Sequence, residues 1–180
     1  MNAATYLWSN PPSCLAEFQL VAIKPERGSA QSPTVFGLGC TCGSRHGSIM
    51  GYPLKDVKEG CSTRDTFVGP LAFVCSSCER AIEIINTDVH GYHGALKKYL
   101  GESTSPATIR GEGRRRVFEC PKCTCIQMAV CVRFRYSGAE QDVEEDHQTG
   151  HMEDFFLGFY AVGLCVGCGE KCDIADFTHL

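Results

Sequence analysis

The cysteine residues constrain this chain more than any other sequence feature. The 180 residues include thirteen cysteines, and eight of these form four close pairs with the spacing C-x-C or C-x-x-C. Such a spacing turns two sulfur atoms toward one ion, and it is therefore typical of zinc sites. Because the count is odd, a disulfide framework would leave at least one thiol unpaired. We therefore favour metal binding over disulfides.

The cysteine pairs predict two zinc sites, each built from an upstream and a downstream pair. The predicted ligands are Cys40, Cys42, Cys75 and Cys78 in the first site, and Cys120, Cys123, Cys165 and Cys168 in the second. Four thiolates complete a tetrahedron around Zn²⁺ and leave no position for water. We therefore expect two structural Zn²⁺ ions that contribute folding energy and no catalytic residues.

Cys125 offers an alternative ligand for the second site. It follows Cys123 with the C-x-C spacing that is also found in the first site, so Cys123 and Cys125 can replace Cys120 and Cys123 as the upstream pair. We favour Cys120, because Cys125 immediately starts a predicted strand. Three further cysteines are not assigned to a site: Cys14, Cys61 and Cys131. Of these, Cys131 lies on the polar face of its strand, where it can be accessible and reactive.

The chain also repeats a longer pattern. In both halves an apolar run leads into a C-x-x-C pair and a second apolar run follows it. When the two halves are aligned on these pairs, Cys172 falls where the first half has Ile82, which predicts a buried apolar role for Cys172. The predicted organisation is an N-terminal arm with a first unit at 1–100, a linker at 101–113 and a second unit at 114–180.

The hydrophobic pattern predicts strands and little helix. Residues 126–136 alternate between apolar and polar side chains over eleven positions, as expected for a half-buried strand. Residues 155–164 are apolar on both faces and predict a central strand, whereas residues 17–23 predict an edge strand or one between the units. One or two helical turns are expected at 95–100. The predicted fold class is mainly β, with two tandem antiparallel units.

At this level of detail the chain resembles the zinc-ribbon class. The resemblance rests on the knuckles Cys120-Pro121-Lys122-Cys123 and Cys165-Val166-Gly167-Cys168-Gly169. It implies two tandem copies of a unit in which each knuckle forms the turn of a β-hairpin. Two features depart from the class: the first pair is one residue short, and Glu79 and Thr124 stand where glycine is common. The stretches between the knuckles, 43–74 and 124–164, are also longer than in small zinc fingers.

Composition and charge narrow the function. The formal net charge is −4 and the sequence pI is about 5.8, which weighs against a dedicated nucleic-acid binder, because such domains are usually basic. No stretch approaches the roughly 18 apolar residues that a membrane span needs, and the first residues have no secretory pattern. We therefore expect a cytoplasmic protein that does not contact a membrane.

Charged residues are concentrated in two places. The basic cluster comprises Arg110, Arg114, Arg115, Arg116, Arg133 and Arg135. Residues 138–154 are acidic and predict a solvated loop. The arginines can contact phosphates, but we favour their protecting a sheet edge or pairing with the acidic loop.

The function that the sequence favours is a non-catalytic adaptor with structural zinc, whose partner is another protein. Its contact candidates are the acidic loop and the N-terminal arm, which includes Trp8. The alternative is a nucleic-acid-binding zinc ribbon that uses the arginines. The least favoured function is a metal-dependent enzyme, which would have to use the imidazoles of His46, His90, His93, His147 and His151. Neither the substrate nor the oligomeric state is indicated.

Overall fold

The protein folds around one antiparallel β-sheet. The computed structural model describes residues 3–23, 35–57, 66–104, 110–136, 138 and 148–178. Within these ranges the strands are β1 (Gln19–Ile23), β2 (Val35–Gly39), β3 (His46–Pro53), β4 (Phe67–Cys75), β5 (Ala81–Ile85), β6 (Arg116–Val117), β7 (Met128–Arg135), β8 (Gly158–Cys165) and β9 (Lys171–Thr178). All pairings are antiparallel. The predicted mainly β class is confirmed.

Helical structure is short and lies outside the sheet. The helical segments are α1 (Ala3–Ser9), α2 (Leu54–Val57), α3 (Tyr92–Ala95), a π-helix (Leu96–Leu100) and two 3-10 turns (Ser13–Leu15 and Met152–Asp154). The helical turns expected at 95–100 are present, and they begin earlier, at Tyr92. Among the described residues, the helices are too short to cross a bilayer.

The strands predicted from the hydrophobic pattern are confirmed within a few residues. β7 alternates buried and half-buried side chains over most of its length, as the eleven-residue pattern at 126–136 predicts. β8 lies between β7 and β9, which confirms a central strand in the 155–164 region. β1 pairs only with β2 among the described strands, so the edge position expected for 17–23 is also confirmed.

The strands of the two predicted units pair with each other in one sheet. One edge of β7 pairs with β8, and the other edge pairs first with β3 and then with β2. One edge of β3 likewise pairs with β4, and the other with β7 and then β6. The sequence did not indicate this cross-pairing. Of the predicted linker, residues 105–109 lie outside the described ranges, and the boundary at 101–113 stays a prediction.

The ladders of the two halves have equivalent registers. Gly47 pairs with Cys75 in β3–β4, and Met128 pairs with Cys165 in β7–β8. Both outer ladders shift register at the same place, four residues before the downstream pair of cysteines, in β4 and in β8. At the junction of the halves Gly47 pairs with Met128 itself. Exchanging the two halves therefore leaves the hydrogen-bonding pattern around Gly47 and Met128 unchanged.

A single apolar core lies under both halves. Phe134 of β7 contacts the rings of Phe36, Phe156 and Phe159 at centroid distances of 6.4, 4.7 and 5.5 Å. The first cysteine of each predicted pair, Cys40, Cys75, Cys120 and Cys165, belongs to the same buried cluster. Fully burying a phenylalanine contributes about 1.5–3 kcal/mol, so the shared core helps to hold the halves together.

Two sequence expectations change in the structure. Within the acidic stretch 138–154, the described residues are not all solvated, because Asp154 is buried; residues 139–147 lie outside the described ranges. Trp8 does not project from the N-terminal arm, because its ring is half-buried 5.5 Å from that of Phe36. Helix α1 therefore packs Trp8 against the core, so only part of this ring is accessible to a partner.

Substitution of Gly47 tests how closely β3 packs against β4. A Cβ atom at Gly47 would lie 2.5 Å from both the Val74 carbonyl oxygen and the Phe73 ring, so Gly47→Ala must displace backbone. We expect a loss of about 1–3 kcal/mol in the free energy of unfolding. The matched control is Gly37→Ala in β2, where the nearest atom is at 3.4 Å and the change should be within about 1 kcal/mol. Urea denaturation of both variants makes the comparison, and equal stabilities would contradict the close approach at Gly47.

Candidate metal centres

The first group of four predicted ligands converges at the ends of four strands. β2 leads into Cys40 and Cys42 before β3 begins, whereas Cys75 ends β4 and Cys78 lies in the connection from β4 to β5. The Sγ atoms all lie within 4.8 Å of one another. The closest pairs, Cys40 with Cys78 and Cys42 with Cys75, are each separated by 3.5 Å.

The second group repeats this arrangement. Cys120 and Cys123 lie between β6 and β7, whereas Cys165 ends β8 and Cys168 lies between β8 and β9. Their Sγ atoms also lie within 4.8 Å of one another. Here Cys120 is 3.7 Å from Cys168 and Cys123 is 3.5 Å from Cys165. In both groups the first cysteine of each pair is buried and the second is exposed.

These sulfur separations suit a shared metal ion. A disulfide would bring two sulfurs to about 2.05 Å, far closer than any of these pairs. Zinc–sulfur bonds of about 2.3 Å in a regular tetrahedron place the sulfurs roughly 3.8 Å apart. The four sulfur donors of each centre would occupy every position of such a tetrahedron and leave none for water. Both centres therefore fit a closed, four-sulfur metal site.

Local backbone structure explains how each pair is held. In every knuckle the first cysteine accepts a backbone hydrogen bond at its carbonyl from the residue after the second cysteine. The donors are the N–H groups of Gly43, Glu79, Thr124 and Gly169, at 2.8–3.0 Å. All four donors have positive φ, between 58° and 94°. The two residues that depart from the usual glycine, Glu79 and Thr124, therefore adopt the left-handed conformation that glycine adopts with less strain.

The knuckles also lower the pKa of the buried thiols. For Cys75, the backbone N–H of Cys78 is the main group that holds the pKa down, to about 6. Burial raises the pKa of Cys165, but the backbone N–H of Cys168, the Cys123 thiol and the backbone N–H of Gly167 together outweigh it, and the pKa is again about 6. Because the thiolate is the form that binds metal, both turns favour ligation by their first cysteine.

The structure separates the alternatives for the second centre. Cys120, not Cys125, belongs to its four-sulfur group, and the Cys125 sulfur instead contacts the backbone of Gln127. Cys172 is buried, as predicted, although its Sγ lies 3.9 Å from that of Cys120. Burial raises the pKa of the Cys172 thiol to about 12, and its sulfur does not belong to the four-sulfur group.

Of the three unassigned cysteines, Cys14 and Cys131 do not belong to either four-sulfur group. Cys14 is half-buried, and burial together with the nearby Asp154 carboxylate raises the pKa of its thiol. Cys131 lies half-buried on its strand, and burial raises its pKa too, so the interpretation of Cys131 as a reactive thiol gains no support. Cys61 lies outside the described residues.

The histidines do not assemble a further metal centre among the described residues. His90 accepts a hydrogen bond at Nδ1 from the backbone N–H of Asn86 at 2.9 Å, which is the role of a turn histidine. Burial lowers the pKa of His90. His93 is exposed beside Tyr92, and His151 stacks on Tyr99 with ring centroids 4.3 Å apart. His147 lies outside the described ranges.

Three of the six clustered arginines pair with carboxylates. Arg116 lies 3.0 Å from Asp56, and Arg115 lies 3.9 Å from Glu83. Arg110 lies 3.6 Å from Asp88 and 3.5 Å from Glu112. Arg133 lies over the ring of Tyr160 at 4.2 Å. These partners come from outside the acidic stretch 138–154, so pairing of the arginines with that stretch stays a prediction, and residues 139–147 lie outside the described ranges.

One buried polar cluster was missed by the sequence analysis. The carboxylate of Asp154 accepts hydrogen bonds from the N–H and hydroxyl of Ser13, both at 2.7 Å, and from the Tyr99 hydroxyl at 2.6 Å. Lys98 lies 3.6 Å away. These bonds tie the N-terminal segment and the π-helix to the chain that leads into β8. Asp154 belongs to an acidic run that looks solvated, so the sequence carried no signal for this cluster.

Comparison with known proteins gives no match: no family model fits the chain, and no curated protein or solved structure is significantly similar to it. The two sulfur groups are compatible with zinc-ribbon-like sites. What these groups do in this protein must therefore be inferred from their geometry.

Single alanine substitutions test which cysteines bind metal. Cys120→Ala removes one of four donors, so we expect the protein to retain one zinc ion after dialysis against a competing chelator. Cys125→Ala and Cys172→Ala are the matched controls beside the same centre, and each should retain two. Native mass spectrometry counts the ions. Loss of one ion from Cys125→Ala, with two retained by Cys120→Ala, would reverse the assignment.

Proposed function

We propose that this protein is a non-catalytic adaptor in which two structural zinc ions hold a β-sheet that binds a partner protein. The observation that carries the proposal is the closure of both centres by four sulfur atoms at separations that suit one ion. A centre with four protein donors has no position for a reacting water, whereas catalytic zinc keeps one open. Four thiolates suit iron as well as zinc, and metal analysis distinguishes the two.

The position of the centres supports a structural role. Each centre joins the β2–β3 or β6–β7 connection to the adjacent hairpin, β4–β5 or β8–β9. Each centre therefore holds together the connections that carry its cysteines, which the hydrogen bonds between the strands alone would not do. Zinc binding to small structural sites contributes roughly 10–16 kcal/mol, as much as the whole stability of a typical domain, about 5–15 kcal/mol.

We also infer that the two halves are tandem copies of one zinc-ribbon-like unit. The matching registers of β3–β4–β5 and β7–β8–β9 support this inference, as do the shared register shifts. Two copies explain why the cysteine pairs recur with the same burial. The free thiols suit a reducing compartment, and we propose the cytoplasm.

Nucleic-acid binding is the second candidate, and the arginines are the feature that favours it. Arg114, Arg133 and Arg135 have no described carboxylate partner, whereas Arg110, Arg115 and Arg116 pair with acids. Three such charges are a small footprint beside the roughly six to ten phosphate contacts that strong binders make. A protein partner is therefore favoured.

Metal removal tests the proposed role. Purified protein should contain two zinc ions per chain by elemental analysis. Stripping them with EDTA should lower the melting temperature by more than about 20 °C, because roughly 10 kcal/mol or more of binding energy is lost. Circular dichroism during heating measures the shift, and added zinc should restore it. A calcium-selective chelator is the control. Metal-free protein that melts at the original temperature would show that the ions are not structural.

A further inference from the structure

The two halves differ at one sheet edge. In the first half β1 pairs along the whole outer edge of β2, over five residue pairs from Gln19↔Gly39 to Ile23↔Val35. In the second half β6 occupies the place of β2, but within the described parts of the chain it pairs with β3 alone. Among the described residues, the outer edge of β6 is thus unpaired at the position where its counterpart is covered.

The registers define where a covering strand would lie. Phe36 pairs with Val132 in β2–β7, and Arg116 pairs with Gly51 in β6–β3; Phe36 and Arg116 each stand four residues before the first ligand of their half. Residues 115–119 therefore correspond to 35–39, the segment that β1 covers. The edge segment is defined here as residues 115–119.

Backbone groups of the edge segment point away from the sheet. The N–H of Phe118 donates to the Ile49 carbonyl at 2.8 Å, so Phe118 faces β3. Because adjacent residues of a strand direct their N–H and C=O groups to opposite sides, Val117 and its alternate neighbours Arg115 and Glu119 face outward. These groups can receive an added strand, as an exposed edge generally can.

Two clefts border the edge segment and can receive side chains of such a strand. One has a volume of about 330 Å³ and is lined in part by Pro53, Phe67 and Phe118. The other, of about 820 Å³, is lined in part by Tyr52, Val57 and Arg114. The first is the counterpart of the place that Leu20 of β1 occupies opposite Leu38. An apolar side chain therefore suits this position.

The arginines beside the edge segment indicate which residue types the added strand would carry after its apolar residue. In β1, Ala22 pairs with Phe36, the counterpart of Arg116. Arg116 is exposed and pairs with Asp56 at the surface, and Arg114 has no described carboxylate partner. An acidic residue two positions after the apolar one would meet Arg116, and a second acidic residue, two further on, would approach Arg114. Bidentate carboxylate pairing favours arginine at such sites.

We propose that the outer edge of β6 binds an extended acidic segment of a partner protein, which adds to the sheet as an antiparallel strand in the position that β1 occupies beside β2. This inference rests on the proposed adaptor role, and it names the binding surface. The expected segment carries an apolar residue followed by acidic residues two and four positions later. The backbone of β6 supplies affinity, and the cleft and the arginines supply specificity.

Selection from a phage-displayed library of random twelve-residue peptides on the zinc-loaded protein tests the proposal. We expect enrichment of the apolar-x-acidic pattern, and binding is then measured by fluorescence polarisation with an enriched peptide. Val117→Pro removes one outward N–H without altering the bonds to β3, and should weaken binding about tenfold. Arg114→Glu with Arg116→Glu should weaken it about tenfold or more. The same double reversal at Arg133 and Arg135 is the matched control and should leave binding within about twofold.

Hydrogen exchange on the wild-type protein gives a second readout that needs no variant to fold. The bound peptide should slow exchange of the Val117 N–H and leave that of Phe118, already bonded to β3, unchanged. Equal affinity for Val117→Pro, an unprotected Val117 N–H or enrichment of peptides without acidic residues would each overturn strand addition. So would a dimer broken by Val117→Pro, or single-stranded RNA that binds through Arg114 and Arg116 while no peptide is enriched.

Zinc content is measured on the same preparations. Two zinc ions with no peptide binding would overturn only the docking surface and leave the structural role of zinc intact. Fewer than two ions in the wild-type protein would instead contradict the proposed function, whatever the peptides do.

Discussion

The fold depends on bringing four sulfur atoms together at each of two strand ends. Sulfurs 3.5–3.7 Å apart are too far for a disulfide, and four thiolates without a cation would repel one another at this distance. A metal ion bound by the four sulfurs would remove that repulsion and would fix the connections between strands. The left-handed residues Glu79 and Thr124 show that the backbone accepts strain to keep these turns.

The sheet then follows from two halves with matching registers whose inner strands, β3 and β7, pair with each other. β3 and β7 pair at Gly47 and Met128. Along the rest of the same edge, β3 pairs with β6 and β7 pairs with β2, so each strand contacts a strand of the other half. This exchange places residues of both halves in one core, which neither half could complete alone. The arrangement is symmetric in register but not in coverage, because β1 covers β2 and no described strand covers β6. Function is expected where the two halves differ.

Much of this could be predicted from the sequence, for identifiable reasons. Cysteine spacing is local information, so the eight clustered cysteines could be named without knowing the fold, and period-two alternation located β7. The cross-pairing of β2 with β7 could not be predicted, because strand order depends on contacts distant in sequence. Burial of Asp154 was missed because burial of a carboxylate depends on partners such as Ser13 and Tyr99. Packing of Trp8 against the core was missed because a single aromatic residue outside a periodic pattern gives no sign of the face on which it lies.

X-ray absorption at the zinc edge tests the central claim most directly, since it reports the atoms bound to the ion in the intact protein. Two closed centres predict four sulfur neighbours per zinc at about 2.3 Å and no nitrogen or oxygen shell. An oxygen or nitrogen neighbour at about 2.0–2.1 Å would reveal an open or histidine-containing site. Either neighbour would contradict closure of both centres by four sulfur atoms, and an oxygen neighbour would return the protein to the class of candidate metalloenzymes.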